Sequence, residues 1–478
     1  MKNAVKPLVI TLAVLAVLGG ILAFLLISGN DGESSYDDSA LLSGLDFLDE
    51  EQSYPITSGS SKDLLSVTVT RDGGGLLFTR KRNFTEDSTC YHNIDGLGTL
   101  KQDNALVSYI VDNLAVLIAE KFVEENPDDL SKYGLDFPRA VVSLDFEEGE
   151  DIEISFGIRS PSDEKLIYCE ANGFVFLVNY YTVEDIFSKP QDFAELELFS
   201  DSERIEQITI ERSDFEEPVV LRFLSSYADA DEGMVYDETL KYEFISPFRL
   251  MVDPKKGKKL YSNLMPLQMD SCEFVEKSAE KLTECGFDTP TAVISFSASD
   301  NDYVLTIGGK LADGAGYYAI LSNVDGIYLI SEKSAVWVDF SLSQVVSLSG
   351  VTPYILGCES VEVSTEYAEY VFVNNQNRFS LNGNLLEEYT FRVFFEMLSG
   401  LTADELYTQQ TDGAKKLSVR FNYNDEYSAL YGREYDEYSL YDCDSRKYVM
   451  NLNGDTVFKV NAVNVQKIFD RLTAITGG

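Results

Sequence analysis

A cysteine and a histidine two positions apart are the closest approach in this sequence to a nucleophile with its base. Cys90 and His92 would share one face of an extended strand, because side chains alternate between the two faces. A thiol beside an imidazole can be activated as a nucleophile. His92 is, however, the only histidine of the 478 residues, and no pattern surrounds it. We therefore expect a surface or structurally satisfied histidine, with the catalytic pair as the weaker alternative.

Two aspartates occupy equivalent places in two similar segments. Residues 130–144 read L-S-K-Y-G-L-D-F-P-R-A-V-V-S-L, and residues 282–296 read L-T-E-C-G-F-D-T-P-T-A-V-I-S-F. Asp136 and Asp288 could therefore be two equivalent acids of one active site. A short acid between a helix end and a proline more often accepts hydrogen bonds from its own backbone amides. We predict turn residues.

Three further motifs resemble fragments of ligand sites. Gly308-Gly309-Lys310 is glycine-rich, but no serine or threonine follows the lysine as in a phosphate-binding loop, so a strand end and turn is predicted. The acidic clusters at residues 229–232 and 300–302 lack the glycine and the distal glutamate that close a calcium loop. Weak divalent cation binding is the most they predict. No residue is assigned to catalysis, to a cofactor or to a metal.

Two other segments stand out by composition. Seven tyrosines lie among acidic residues between positions 423 and 448. Exposed tyrosines favour contact with proteins or glycans, although ordinary strand residues are the interpretation that we favour. Residues 255–259 read K-K-G-K-K and form the one basic cluster. They predict a turn or a docking point for an acidic neighbour.

The two similar segments also predict a structural element, a corner between a helix and a strand. Gly134 and Gly286 each follow a helical stretch, and glycine readily adopts the left-handed conformation that ends many helices. Pro138 and Pro290 prevent the helix from resuming and favour extended geometry before them. Strands are expected to start at once, at residues 140–146 and 292–296.

Similar elements recur in the same order three times along the chain. This recurrence predicts an α+β fold in which an N-terminal transmembrane helix is followed by three repeated units, each with a strand hairpin, a helix and an antiparallel sheet. The third unit lacks the Gly-x-Asp-x-Pro corner and is degenerate. The predicted units are residues 63–200, 201–352 and 353–478.

The helices and hairpins of these units follow from local patterns. Apolar residues recur at steps of three and four between residues 106 and 122, which predicts a helix with one buried face. Further helices are expected at about residues 272–284 and 389–398. Two-residue hairpin turns, which need positive φ angles, are predicted at Asn172-Gly173, Asp325-Gly326 and Asn453-Gly454.

The N-terminal residues predict a membrane anchor. Residues 8–27 carry no charge, and twenty apolar residues in a helix span a hydrocarbon core of about 30 Å. Lys2 and Lys6 precede the run and acidic residues follow it, which places the N-terminus in the cytoplasm. Residues 1–28 are thus predicted as cytoplasmic tip and signal anchor, and residues 29–62 as a flexible acidic stalk. A cleavable signal peptide is the alternative.

Charge and cysteine content narrow the partners and the chemistry. The chain has 80 acidic and 38 basic residues, a formal charge of −42. A field of that sign repels nucleic acid and anionic lipid headgroups, so no nucleic-acid partner is expected. The six cysteines follow no framework spacing, so mostly free, buried thiols are predicted.

The motifs also resemble a known family. The doubled Gly-[Leu/Phe]-Asp-x-Pro-x-Ala corner, the strand after it, Ile307-Gly308-Gly309-Lys310 and Gly316-Tyr317-Tyr318, together with the anchor, resemble the bacterial domain-of-unknown-function family 4340. The first copy departs from the second at Gly157-Ile158-Arg159 and at Ile167-Tyr168. The resemblance implies an envelope protein that is often encoded beside an ABC-2 type exporter and its gliding-motility-type auxiliary subunit. It brings no catalytic residues.

These observations predict a single-pass protein of the cytoplasmic membrane, with the C-terminal domain extracytoplasmic. We expect it to act without catalysis, as an auxiliary or scaffold subunit of an ABC-type export complex, with the permease or auxiliary subunits as partners. The alternative is a cell-surface binding module for wall polymer or protein. An enzyme that uses aspartate or cysteine ranks third.

Overall fold

The computed structural model describes residues 54–85, 88–200, 205–223, 242–298, 301–351, 353–375, 378–407, 409–431 and 433–477. The predicted anchor at residues 8–27 and most of the predicted stalk lie outside these ranges. Within them, no helix is both long and apolar enough to cross a membrane. The described residues form two compact units: the first comprises residues 54–73 and 112–185, and the second comprises residues 74–111 and 186–477.

Antiparallel strands make up most of the described chain, and a few helices lie between them, so the fold is of the α+β class. The strands are β1 (Tyr54–Pro55), β2 (Leu64–Thr70), β3 (Leu76–Arg80), β4 (His92–Ile94), β5 (Ile118–Ala119), β6 (Lys121–Glu125), β7 (Ala140–Phe146), β8 (Ile152–Arg159), β9 (Leu166–Ala171), β10 (Phe174–Asn179), β11 (Glu197–Phe199), β12 (Gln207–Glu211), β13 (Val219–Phe223), β14 (Tyr242–Ser246), β15 (Leu250–Met251), β16 (Leu267–Gln268), β17 (Ser271–Phe274), β18 (Ala292–Ala298), β19 (Asn301–Lys310), β20 (Gly316–Leu321), β21 (Ile327–Ser331), β22 (Cys358–Thr365), β23 (Glu369–Asn375), β24 (Arg378–Leu381), β25 (Asn384–Leu386), β26 (Glu405–Leu406), β27 (Lys415–Tyr423), β28 (Tyr435–Asp442), β29 (Lys447–Leu452) and β30 (Asp455–Asn461).

The helices are fewer and mostly short. The α-helices are α1 (Asn104–Ala115), α2 (Tyr180–Val183), α3 (Lys259–Ser262), α4 (Ala279–Glu284), α5 (Leu342–Val345), α6 (Glu388–Ser399), α7 (Asp425–Tyr431) and α8 (Ala462–Thr476), and 3-10 turns lie at Ser131–Tyr133, Glu184–Phe187 and Pro190–Phe193.

The first unit is built on a sheet whose strands within the unit follow the order β2-β7-β8-β9-β10-β6. All of these neighbours are antiparallel. Alternate residues of β7 are fully buried, namely Ala140, Val142 and Leu144, because successive side chains of a strand point to opposite faces. A separate pair, β1 with β5, completes the strands of the unit.

The second unit contains two nine-stranded sheets and the hairpin of β3 with β4. The second sheet has the order β15-β14-β13-β12-β18-β19-β20-β21-β17, and the third has β25-β24-β23-β22-β27-β28-β29-β30-β26. Six neighbouring strands follow the same course in both sheets. One strand lies beside four strands that are consecutive in the chain, and the last of these four pairs with a strand that precedes them. The two runs are β12-β18-β19-β20-β21-β17 and β22-β27-β28-β29-β30-β26. The strands of the first unit follow the same course.

The first helix ends earlier than its apolar pattern predicts. Helix α1 stops at Ala115, and Phe122 lies in β6. The reason is Thr57, a buried residue whose hydroxyl accepts a hydrogen bond from Leu117 N at 2.6 Å and donates one to Leu114 O at 2.8 Å. A side chain that is distant in sequence satisfies the helix end, so the local periodicity carries no sign of it.

The second helix is also shorter than predicted. Residues 271–274 form β17, which pairs with β21, and α4 begins only at Ala279. The hydroxyl of Ser278 accepts a hydrogen bond from Lys281 N and so caps the start of the helix. The placement of Cys272 on this helix was therefore wrong. The third helix, α6, agrees with its predicted range to within one residue at each end.

Two of the three predicted hairpin turns are confirmed. Asn172 and Gly173 have φ angles of 53° and 85°, and Asn453 and Gly454 have 50° and 101°, as this type of turn requires. The hairpin predicted around Asp325-Gly326 is also present, since β20 pairs with β21. Its turn is not the two-residue type that was predicted, because five residues, 322–326, join the strands and neither Asp325 nor Gly326 has a positive φ.

Candidate functional site

The predicted corner between helix and strand is present in both copies. Gly134 and Gly286 have φ angles of 66° and 78°, the left-handed conformation expected of them. The residue after each glycine donates back across the last turn, from Leu135 N to Leu130 O at 3.1 Å and from Phe287 N to Leu282 O at 2.9 Å. This is the Schellman arrangement that satisfies the carbonyl groups of a helix end.

The two aspartates of the corner do not act as predicted. Asp136 and Asp288 are exposed, and neither carboxylate accepts a hydrogen bond from any described residue, so the predicted bonds to backbone amides were wrong. The amide two positions on is the usual donor to such a side chain. Here that position is occupied by Pro138 or Pro290, and proline has no N–H.

The strand beside each corner carries a glycine, Gly157 or Gly308, and the corner accounts for both. A Cβ at Gly157 would lie 2.1 Å from Tyr133 O, and one at Gly308 would lie 2.5 Å from Cys285 O. Both glycines sit at a bulge, where β8 or β19 crosses the corner. Gly309 N also donates to Cys285 O at 2.7 Å. Gly308-Gly309-Lys310 is thus the end of a strand, as predicted.

The cysteine and histidine pair belongs to a buried structural cluster. Cys90 and His92 are 5% and 2% exposed, and the Cys90 thiol donates to the backbone oxygen of His92 at 3.2 Å. Gln102 Nε2 donates to the same oxygen at 2.8 Å, and Gln102 Oε1 accepts from Ile94 N at 3.0 Å. Gln102, which no sequence motif marked, organises this cluster.

The prediction of free, mostly buried thiols is confirmed. Five cysteines are buried and Cys443 is exposed, and all six are free. Burial raises the pKa of Cys272 to about 12, and burial likewise raises the pKa values of Cys169, Cys285 and Cys358. These thiols are therefore protonated at neutral pH, whereas a nucleophilic cysteine must be a thiolate.

Five of the seven tyrosines in the tyrosine-rich stretch are strand residues of the third sheet, as the favoured interpretation predicts, and the other two, Tyr427 and Tyr431, lie on α7. Tyr438 is 1% exposed and donates to Leu398 O at 3.0 Å, and Tyr423 donates to Asp436 Oδ2 at 2.6 Å. Tyr435 remains 39% exposed, with the Arg420 guanidinium 4.2 Å from its ring centre.

The structure describes only part of the two acidic clusters, and position 300 lies outside that part. Residues 229–232 lie outside that part. Asp302 accepts a hydrogen bond from the Ser297 hydroxyl at 2.6 Å. Across the described ranges, no group of three or more histidine, cysteine, aspartate or glutamate side chains is arranged to hold a metal ion.

Two buried carboxylates, which sequence reasoning missed, line one small cavity between the second and third sheets. Glu243 pairs with Arg222 and with Arg249, the latter at 3.2 Å, and Asp436 pairs with Arg433 at 2.6 Å. The cavity holds about 50 Å³, the room of one or two water molecules. Each carboxylate is already paired with arginine from its own side of the cavity, so these ion pairs stabilise the local structure rather than provide a free acid or base.

The basic cluster at residues 255–259 forms a turn that is held by hydrogen bonds. Asp253 Oδ1 accepts hydrogen bonds from Lys255 N at 2.9 Å and Lys256 N at 2.8 Å. The only glycine of the cluster is buried, while all four lysines are exposed. None of their ammonium groups forms an ion pair with a described carboxylate. The turn that was predicted is present, and its cationic groups face solvent.

The most site-like feature of the second unit is a cleft of about 630 Å³, which we call the acidic cleft. It lies between the second and third sheets, with an apolar floor and acidic residues at its rim. It is lined by Asp214, Phe215, Glu216, Glu217, Val219, Pro247, Phe248, Leu342, Leu406, Gln410, Gly454, Asp455 and Val457. No lysine or arginine is among these residues.

Arg212 holds one wall of the acidic cleft in place. Its guanidinium group is bonded to Asp214 at 2.5 and 2.8 Å and to the backbone oxygen of Phe340 at 2.9 Å. It also lies 4.2 Å from the ring centre of Phe215. The hydrogen bonds from Arg212 lower the pKa of Asp214. The Arg212 side chain is only 7% exposed, so the wall is rigidly supported.

Comparison with known proteins gives one match. The family model described as domain of unknown function (DUF4340) matches residues 93–229 and again residues 243–417. The two matches cover the corner segments at Gly134 and Gly286. No curated protein and no solved structure matches the chain.

Proposed function

Because the chain belongs to the DUF4340 family of domains of unknown function, we propose that it is an envelope protein that acts without catalysis, as an extracytoplasmic auxiliary or scaffold subunit of an ABC-type export complex. The observation that carries the proposal is the doubled family match, since the resemblance implies proteins encoded beside ABC-2 type exporters. In this proposal residues 8–27 hold the protein in the cytoplasmic membrane, with the N-terminus inside.

The scaffold in this proposal consists of three copies of one unit, at residues 63–200, 201–352 and 353–478. The same course of six strands recurs in the three large sheets, which supports three units. The family model matches twice, at residues 93–229 and 243–417, which supports repetition within the chain. Antiparallel sheets with buried inner faces are suited to holding surfaces at fixed places. Any function then resides in surfaces that differ between the copies.

A role without catalysis is supported by the state of the groups that could react. Burial keeps four of the thiols protonated at neutral pH by raising their pKa values. The exposed carboxylates of Asp136 and Asp288 accept no hydrogen bond from any described residue, so no described neighbour positions them.

The alternative is a surface binding module that recognises wall polymer or another protein. The four exposed lysines of the turn at residues 255–259 favour it, because they form a cationic surface in a chain with a formal charge of −42. A partner with anionic groups would find its complement there.

Purification of the full chain in mild detergent after crosslinking in cells tests the export role. We expect an ABC permease to be isolated with the protein, and not with an unrelated single-pass membrane protein of similar charge. Absence of the permease, together with retention of the protein on purified wall material, would contradict the export role and support the binding module.

A variant with glutamate in place of Lys255, Lys256, Lys258 and Lys259 separates the two roles further. If wall material or an acidic protein is the partner, this variant loses retention while its thermal unfolding stays unchanged. Under the export role, the crosslinked permease is recovered with the variant as well.

A further inference from the structure

We propose that the acidic cleft binds a basic segment of a partner polypeptide, one in which an apolar side chain is flanked by lysine or arginine. The proposal uses only the residues that line the cleft. It therefore holds under either of the two roles above.

The dimensions of the acidic cleft match a short peptide segment. Its volume of about 630 Å³ is within the range of about 300–1,000 Å³ that is typical of ligand pockets. Phe215, Leu342 and Leu406 are partly exposed at its floor, where they leave apolar surface in contact with water. Covering that surface with an apolar side chain removes it from water, which favours binding.

The carboxylates of the acidic cleft determine the sign of the charge that its partner must carry. Arg212 neutralises Asp214 through two hydrogen bonds, which leaves Glu216, Glu217 and Asp455 as exposed carboxylates around the floor. No cation among the lining residues balances them. Lysine or arginine beside the buried apolar side chain is the complement that such a rim selects.

The support beneath the floor lowers the cost of binding. The Phe215 ring packs against the Arg212 guanidinium, 4.2 Å from its centre, and against the Phe340 ring, whose centre is 5.4 Å away, and these two groups also contact each other. A wall that is held before the ligand arrives need not be ordered on binding.

Another copy of this chain is the competing occupant, because its lysine turn is also basic. That turn has no apolar side chain to place on the floor. Between its two pairs of lysines lies only Gly257, which has no side chain and is buried. It would satisfy the rim and leave the floor exposed to water.

Two labelled peptides with the full chain in detergent test the proposal by fluorescence anisotropy. The first, acetyl-Lys-Lys-Leu-Phe-Lys-Lys-amide, carries apolar side chains between basic ones, and the second has two serines in place of the leucine and the phenylalanine. We expect the first to bind at least about tenfold more tightly and to weaken as salt is raised from about 50 to about 300 mM, because rim charges are screened.

Charge reversal locates the site. In the variant Glu216→Lys/Glu217→Lys/Asp455→Lys, affinity for the first peptide should fall by about tenfold or more. The matched control is Glu369→Lys/Glu387→Lys/Glu426→Lys, which changes the net charge equally. It reverses three exposed carboxylates outside the acidic cleft, one on β23, one just before α6 and one on α7. The control should bind like the parent chain.

Three outcomes overturn the proposal. Equal affinity for both peptides means that the apolar floor takes no part. Equal loss in the two triple variants means that only the overall charge of the chain attracts the peptide. Self-association of the parent chain that is abolished by reversing Lys255, Lys256, Lys258 and Lys259, together with peptide binding that competes with it, makes a second copy the occupant. If the cleft variant does not fold, the comparison of the two peptides still decides.

Discussion

Gly286 shows how a single residue holds the corner of the second copy. Its φ of +78° is unfavourable for any residue with a side chain, and a Cβ there would lie 2.9 Å from Gly309 N. We expect Gly286→Ala to lower the free energy of unfolding by at least about 2 kcal/mol, because backbone strain and a backbone clash combine.

The matched control is Gly383→Ala, which has the same positive φ, +81°, and nothing within 4 Å of its Cβ. It should lose only about 1 kcal/mol. Urea denaturation of both variants measures the difference, and equal losses would mean that the contact with Gly309 is not the reason for glycine at the corner.

The buried Asp436 is a second residue whose loss has a defined cost. Its carboxylate is bonded to Arg433, to the Tyr423 hydroxyl and to Asn453. Asp436→Ala should cost about 3–5 kcal/mol, since it leaves the half-buried Arg433 without its anion and the buried Tyr423 hydroxyl without its acceptor. Asp442→Ala, which removes a half-exposed partner of Lys416, should cost about 0–1 kcal/mol. Comparable shifts in urea midpoint for the two variants would show that Asp436 contributes no more than a surface pair.

The thiols give a prediction that needs no mutation at first. Only Cys443 is exposed, so a thiol reagent at pH 8 should label one cysteine of the native chain quickly and all six in denaturant. Cys443→Ser should abolish the fast phase. Rapid labelling of a second thiol in the native chain would contradict the burial of the other five cysteines.

At the scale of elements, the aromatic face of α6 holds the third sheet together. Phe391 is buried and stacks on Phe379, with ring centres 4.4 Å apart. Phe391→Ala should cost about 3–5 kcal/mol through the cavity that it leaves. Tyr389→Ala lies on the same helix, but Tyr389 is 70% exposed, so its effect should stay within about 0.5 kcal/mol. Thermal unfolding followed by circular dichroism compares them, and similar midpoints would contradict this account.

The sequence predicted elements well where the signal is local. Strand β7 begins at Ala140 because Pro138 ends what precedes it, and the turns at Asn172 and Asn453 follow from residue types that tolerate positive φ. Prediction from the sequence failed where a residue that is distant along the chain determines the local conformation. The end of α1 depends on the Thr57 hydroxyl, and the extended conformation of residues 271–274 depends on pairing with β21.

At the scale of the whole molecule, buried ionisable groups set the response to alkaline pH. Burial raises the pKa of Cys272 from 9.0 to about 12 and raises the pKa values of Tyr242, Tyr328 and Tyr438 above 10. These groups stay neutral in the folded chain while the unfolded chain ionises. Stability is therefore fully kept below about pH 9 and falls as the pH rises above it.

Urea denaturation at about pH 8, 9.5 and 10.5 measures this effect, and we expect the midpoint to fall at each step. Cys272→Ala removes one of the groups and should make the fall shallower. A midpoint that is constant or rises between pH 8 and 10.5 would contradict the prediction.

The candidate site lay beyond local sequence reasoning for the same reason as the helix ends. Phe215 and Glu216 lie in the turn between β12 and β13, whereas Leu406 and Asp455 come from the third sheet, so the acidic cleft exists only once two sheets adjoin. The motifs that sequence similarity does reveal, Gly134 and Gly286 above all, are those that shape the backbone in each copy separately.

The strand at the far edge of each sheet has a consequence for the nascent chain. β17 is synthesised before the four consecutive strands of its sheet but pairs with the last of them, β21. In the same way, β26 is synthesised before β30, with which it pairs. During synthesis from the N-terminus, this part of a sheet is therefore complete only when its final hairpin emerges, and the sheets are completed one after another. The growing polypeptide would then carry one such unpaired strand at a time, which limits the interval in which that strand could pair with the wrong partner.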